Sequence, residues 1–355
     1  MSRTDALPGL VLALVLLAGG PGCSISRMAA DAMVPVLANT RDEVNRSDVP
    51  RAAREAAPGL IATLDGIVTA SPENPELRLL QAEMCASFAF GFLELEDPVW
   101  ATSLYKRARA AALVALADED EELADALGAK GGQAAVAEGL KEADEDALPA
   151  LFWWAFARGA EVNLNRGDTA QIAALQVVDL VMAWVLEHDP AFFHSGPDLY
   201  FAMRNLALPP SFGGKPDLGL RHFEAVERRT QGKFLMARVL RAQYHAPTLA
   251  ATPAGARIDA VMTAQKAAWA AYYDALKKVL EAPSDLWPEQ SLSNAVAKQR
   301  ARALLADPEG HNIIPPPGVT NEFKAAADQS AEGGWGDDAG GGWDAGPAPG
   351  DQGGK

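Results

Sequence analysis

The tightest constraint on this chain is a run of apolar residues at three- and four-residue spacing, interrupted by stops that proline enforces. Three junctions share one theme: Ala70-Ser71-Pro72-Glu73-Asn74-Pro75, His188-Asp189-Pro190 and Ala306-Asp307-Pro308. Proline lacks the amide hydrogen a helix interior needs, and its ring clashes with the preceding turn. An acidic or hydroxyl residue just before it suits a turn or a cap. Each junction therefore ends one helix and begins another. Between them alanine, leucine and long unbranched residues dominate, β-branched residues are sparse, and nothing alternates with period two for long. The expected fold class is all-α.

The segment Glu76 to Leu93 carries the clearest stripe, with Leu77, Leu80, Met84, Phe88 and Phe92 on one face that must be buried. After Asp97-Pro98, a further helix puts Tyr105, Ala108, Ala112 and Leu116 on one side, small enough for a neighbouring helix to approach closely. Ala147 to Asn163 and Ala170 to Glu187 read as another hairpin, turning at Arg166-Gly167-Asp168. Paired helices of this kind characterise tetratricopeptide-like arrays, although the strict repeat of about 34 residues is absent. An irregular array of tetratricopeptide-like helical hairpins is expected, with a plain helical bundle as the alternative. The acidic stretches Asp118 to Glu122 and Glu142 to Asp146 flank Gly128, Gly131 and Gly132 without the ligand spacing of an EF-hand, and are expected to form a solvated insertion.

The two ends differ from the middle. Arg3, an apolar run from Leu7 to Ala18 and the small residues Gly19, Gly20 and Gly22 precede Cys23, the layout of a bacterial export signal. The run is too short for a membrane-spanning helix, which needs about 20 residues. Acylation of Cys23 would give a lipid anchor, and several chains hold stably where one is marginal; the alternative is an ordinary signal peptide cut near Gly22. Ser24 carries no acidic inner-membrane retention signal, which favours the outer membrane. The expected organisation is a lipoprotein signal peptide over 1–22, a tether and N-terminal helix over 23–50, a helical-repeat domain over 51–310, and a disordered tail over 311–355. The tail's glycine, aspartate and alanine, with Trp335 and Trp343 in similar settings, bury too little apolar surface to offset ordering entropy.

A net charge of −16 over 355 residues argues against nucleic acid or anionic lipid surfaces as direct partners. Cys85 is the one thiol left once Cys23 is lipidated or removed, so no disulfide forms within the mature chain. Cys85 lies among apolar residues at helical spacing and reads as a buried structural thiol. His188, His194, His222, His245 and His311 offer no metal spacing, and there is no HExxH, cysteine pair, nucleophile elbow, P-loop or dinucleotide-binding glycine motif. No enzymatic activity, metal or cofactor is expected.

Several segments fall in a recognisable order. Leu208-Pro209-Pro210-Ser211-Phe212-Gly213-Gly214-Lys215-Pro216, followed by His222-Phe223-Glu224-Ala225, resembles the "P-x-x-x-GG-x-P … HF-x-x-A" segment of TRAP transporter T-component (TatT) lipoproteins. Gly232-Lys233-Phe234, Leu292-Ser293-Asn294-Ala295-Val296-Ala297, Ser71-Pro72-Glu73-Asn74-Pro75 and Phe152-Trp153-Trp154 are similar to other parts of that pattern, so the resemblance runs roughly from Ala52 to Asp307. Lys215 stands where the family usually has an acidic or amide residue, the acidic stretch is expanded, and the Gly/Trp tail lies outside the pattern. The resemblance implies a periplasmic, membrane-anchored accessory protein of a tripartite ATP-independent periplasmic transporter. Its implied partners are the solute-binding subunit and a small organic or apolar ligand, homo-oligomerisation being left open. Phe152, Trp153, Trp154, Tyr200 and Asn294 are the candidate ligand or pore residues, the alternative being that the rings fill the core. Gly213, Gly214, Pro216, His222 and Phe223 read as structural, with Gly213-Gly214 permitting a tight left-handed turn and Pro216 opening a helix. The competing function is a helical-repeat lipoprotein scaffold in outer-membrane or cell-wall assembly.

Overall fold

The computed structural model describes residues 23–128, 132–165, 167–319 and 321–324. The export signal expected over 1–22 and, of the tail expected over 311–355, residue 320 and everything from 325 onward lie outside the described residues; the start of that tail is ordered, because Ile313 is buried and the Asn321 side-chain amide donates to the Leu305 carbonyl at 2.7 Å. Among the described residues every regular element is helical: α1 (Cys23–Asp31), α2 (Val34–Asn45), α3 (Pro50–Ala70), α4 (Pro75–Phe88), a π-turn (Ala89–Leu93), α5 (Pro98–Glu119), α6 (Glu121–Gly128), α7 (Gly132–Glu142) and α8 (Leu148–Leu164). There follow α9 (Thr169–Ala173), α10 (Leu175–His188), α11 (Phe192–Ala207), α12 (Pro216–Arg229), α13 (Leu235–Ala250), α14 (Ile258–Glu281) and α15 (Ser291–Ala306).

The helices end where the sequence puts its stops: α3 at Ala70, α10 at His188 and α15 at Ala306. They begin where proline is harmless, since Pro50, Pro75, Pro98 and Pro216 each open a helix at a position whose amide has no intrahelical partner. Asn74 and Asp97 cap α4 and α5, their side-chain oxygens accepting the amides of Leu77 and Trp100, both at 2.9 Å. The long stripe over 76–93 is regular only to Phe88 and then widens into the π-turn. The helix expected over 170–187 breaks at Ala174, between α9 and α10.

The acidic region is not merely a solvated insertion. It folds into α6 and α7, whose Leu123, Leu127, Val136 and Leu140 are buried against the core, and Asp120 caps α6 by accepting the Leu123 amide at 2.8 Å. Leucines four residues apart share a helix face, so a strongly acidic exterior coexists with a packing seam. The stretch 170–188 is long and apolar enough to cross a membrane by length and composition. In this fold Val178, Val181, Met182 and Val185 are instead buried, with α10 packed on α8.

Neighbouring helices pack in sequence, α3 on α4, α4 on α5, α5 on α8, α8 on α10, α11 on α12 and α13 on α14. The last helix, α15, packs on α13 and α14 and returns to touch α2, α3 and the π-turn. Two large cores form, one within α3 to α10 and one from α11 to α15, with a small cluster where α1 packs on α3 and α4; Phe90 and Phe92 of the π-turn pack against both large cores.

A buried ion pair fastens this return. Glu94 and Arg300, with side chains 7% and 5% exposed, meet at 3.2 Å. Glu94 Oε1 accepts the Tyr105 hydroxyl at 2.8 Å, while Arg300 donates to the Phe90 carbonyl at 3.3 Å and to Gln243 Oε1 at 3.2 Å. The guanidinium also stands 5.2 Å from the Phe90 ring centre. Burial, and secondarily the Glu94 charge, push the Tyr105 phenol well above its ordinary pKa, so it stays a donor.

At the loop after α11, Gly213 has φ +86°, and a Cβ on Gly214 would lie 1.7 Å from the Leu208 carbonyl oxygen. The Lys215 amide donates to the Asn205 carbonyl, closing the loop onto α11. On α12, Phe223 is buried, and His222 Nδ1 lies 2.6 Å from Oδ1 of buried Asp198, whose other oxygen accepts from Arg229.

Replacing Glu94 or Arg300 singly by Ala should destabilise by about 3–5 kcal/mol, because each leaves an uncompensated buried charge. The double substitution should cost less than the sum, as chemical denaturation of all four proteins would show. Gly214→Ala should destabilise by more than about 3 kcal/mol through its backbone collision. Gly66→Ala on α3, where an added Cβ meets nothing within 4 Å, should instead stabilise by about 0.5–1 kcal/mol.

Candidate functional site

The two cores do not close on each other completely. Between them lies a cavity of about 330 Å³, a size typical of small-molecule sites. Its floor is the π-turn, where an α-helix with one extra residue per turn re-aims its side chains. Phe90 and Phe92 face the cavity, and Gly91 leaves room for Val296 of α15 at 3.6 Å from where its Cβ would be. Phe152 and Phe156 of α8 form a second wall, and Tyr200 and Met203 of α11 a third.

The roof is α2. None of its residues is buried, yet Leu37, Arg41 and Val44, at helical spacing, line the cavity. The segment is held at one end by Asp31, whose Oδ1 accepts from Ser71 and Asn74, both at 2.7 Å. Midway, Arg41 pairs with Glu83 of α4 at 3.2 Å. Burial pushes the Glu83 carboxyl above its ordinary pKa, and Arg41 opposes that shift.

Every charged side chain on the wall has a partner. Arg41 faces Glu83, Glu94 faces Arg300, and Arg204 meets Asp179 at 2.7 Å while donating to the Gly213 carbonyl at 3.0 Å. Asp179 also accepts the Tyr200 hydroxyl at 2.7 Å, and burial holds that phenol well above its ordinary pKa. His194 is on the wall as well, between Phe234 (5.3 Å between ring centres) and Trp287 (4.9 Å). Burial pushes its imidazole below the usual value, with a hydrogen bond to Gln290 acting the other way.

The backbone that carries His194 is strained. Phe193, His194 and Ser195 have φ of 42°, 60° and 62°, three consecutive left-handed residues, none of them glycine. Each such residue costs about 1–2 kcal/mol, and strain of this kind concentrates where it positions a functional group. Gly196 follows because the Phe152 ring lies 2.6 Å from where its Cβ would be.

Of the ligand candidates read from the sequence, Phe152 and Tyr200 line the cavity. Trp153 and Trp154 do not: both are 3% exposed and packed in the core, because adjacent helical residues point about 100° apart and one wall cannot hold three in a row. Trp153 stacks edge-on to Phe193 at 4.6 Å, which braces the strained run. Asn294 is also off the wall. It is 2% exposed and caps α13, accepting the Leu235 amide at 3.0 Å and donating to the Lys233 carbonyl at 3.0 Å. Gly213, Gly214 and Pro216 shape the loop after α11, while His222 packs on Phe201 of α11 and Phe223 in the second core; none of the five lines the cavity. The π-turn, the α2 roof and His194 were not singled out from the sequence. Phe90-Gly91-Phe92 at the end of a strong stripe, and His194-Ser195-Gly196-Pro197 after a helix stop, are the signals that could have found two of them.

No curated protein matches this chain at a significant level. The family model of the TRAP transporter T-component matches residues 46–310, from the end of α2 to the turn after α15, and takes in the π-turn, the double-glycine loop and all the cavity walls except the roof. The chain belongs to the TRAP transporter T-component family.

Proposed function

We propose that this accessory component of a TRAP transporter holds a small, uncharged apolar ligand in its central cavity and docks the solute-binding subunit while tethered to the membrane through Cys23. The pairing of every charged wall residue carries the ligand assignment. An ionised ligand entering this space would lose its hydration without finding a free counter-charge, a penalty of several kcal/mol. An apolar ligand meets aromatic and aliphatic walls instead, and gains about 25 cal/mol for each Å² it removes from water. Docking rests on the stacked hairpins, which we read as tetratricopeptide-like and which present a broad surface for a partner. The anchor places the protein on the periplasmic face of a membrane, the outer membrane by the absence of an acidic residue after Cys23.

The ligand reading predicts that N-phenyl-1-naphthylamine gains fluorescence on the purified protein, with 1-octanol displacing it at lower concentration than sodium octanoate at pH 8. Met203→Trp, which fills the cavity, should weaken dye binding by about tenfold, or about 1.4 kcal/mol. Preferential displacement by octanoate would overturn the ligand assignment. For docking, crosslinking in intact cells should recover a periplasmic solute-binding protein. Recovery of wall-assembly or outer-membrane proteins in its place would turn the reading to an envelope scaffold.

A further inference from the structure

We propose that His194 is the polar anchor of the cavity, so that its ligand is an apolar molecule bearing one uncharged hydrogen-bonding group such as a hydroxyl or carbonyl. This rests on the cavity being a ligand site, and it adds the chemistry by which that site selects. The first observation is the backbone: a run of three left-handed residues carries His194, and Trp153 and Phe152 pack against that run on its core side. A histidine that served only as filler would not need so unfavourable a backbone, since a helical residue could supply an aromatic ring.

The second observation is the ring's surroundings. Phe193, Phe234 and Trp287 flank it, and Gln290 is its polar partner. His194 lines the cavity, and its imidazole can there donate or accept a hydrogen bond with a bound molecule. Gln290 and Ser293 stand on the same stretch of wall and add neutral donors and acceptors. A neutral imidazole among aromatic rings favours a neutral partner, and burial acts in that direction here. A site built around such a group rejects isosteres that lack the hydrogen-bonding atom, because its own polar atom is then left unpaired.

The test uses the full chain and two displacers of similar size, 1-octanol and 1-chlorooctane, competing against N-phenyl-1-naphthylamine. The readout is the ratio of their displacement constants, which cancels general loss of apolar affinity. In His194→Phe that ratio should shift about tenfold against octanol while dye affinity changes less than about threefold. His194→Gln, which keeps a hydrogen-bonding group, should restore much of the preference. Gln290→Leu removes the orienting partner without altering the strained turn and should shift the ratio in the same direction, so the idea remains testable if the first variant misfolds. An unchanged ratio in His194→Phe, or in Gln290→Leu should the histidine variant misfold, overturns the anchor while leaving the cavity reading intact. Failure of the dye to bind the wild-type chain overturns both.

Discussion

The contact between Glu94 and Arg300 joins residues about two hundred positions apart, and the architecture turns on it. Helical hairpins that pack only on their neighbours make an open array with two free ends. Here the end is brought back: α15 reaches the π-turn, and its arginine enters a site already occupied by a carboxylate, a phenol and a backbone carbonyl. An ion pair taken out of water is a poor source of net stability, because desolvation opposes the attraction. Its value is directional. The two terminal nitrogens of Arg300 find their acceptors in one register of α15 against the π-turn, whereas an apolar contact would tolerate several.

Closure by a polar clasp explains how a void survives in the centre. Protein interiors ordinarily pack as densely as organic crystals, and two cores that met through leucines alone would tend to collapse together. The π-turn and the strained run after Phe192 both set the geometry of the gap, one by widening a helix and the other by reversing its hand. Each replaces a regular and more stable backbone, and both border the same space.

The sequence revealed what depends on local chemistry. Proline stops, capping Asn74 and Asp97 and the stripe through Leu77 and Leu80 act within one or two turns, so the helices and their ends were readable. The double-glycine loop was readable for the same reason, since Gly213 and Gly214 answer a local demand of the backbone. The family resemblance, too, followed from motif order. What the sequence concealed depends on distant partners. Phe152, Trp153 and Trp154 are consecutive, and only the positions of α11 and the π-turn decide which of them faces the void. Asn294 looked like a polar pore residue and proved to be a cap for a helix that begins 59 residues earlier. The acidic region misled because charge was counted without asking which face the leucines occupied.

The roof has a consequence for how the protein is cut and compared. The family match begins at residue 46, one residue after α2 ends. A fragment trimmed to that boundary would retain the hairpins and the clasp yet lack Leu37, Arg41 and Val44, exposing as a groove what the intact chain encloses. Glu83 would lose its counter-charge at the same stroke. The unit that sequence similarity delimits is therefore smaller than the unit that encloses the cavity, and the difference is the segment next to Cys23.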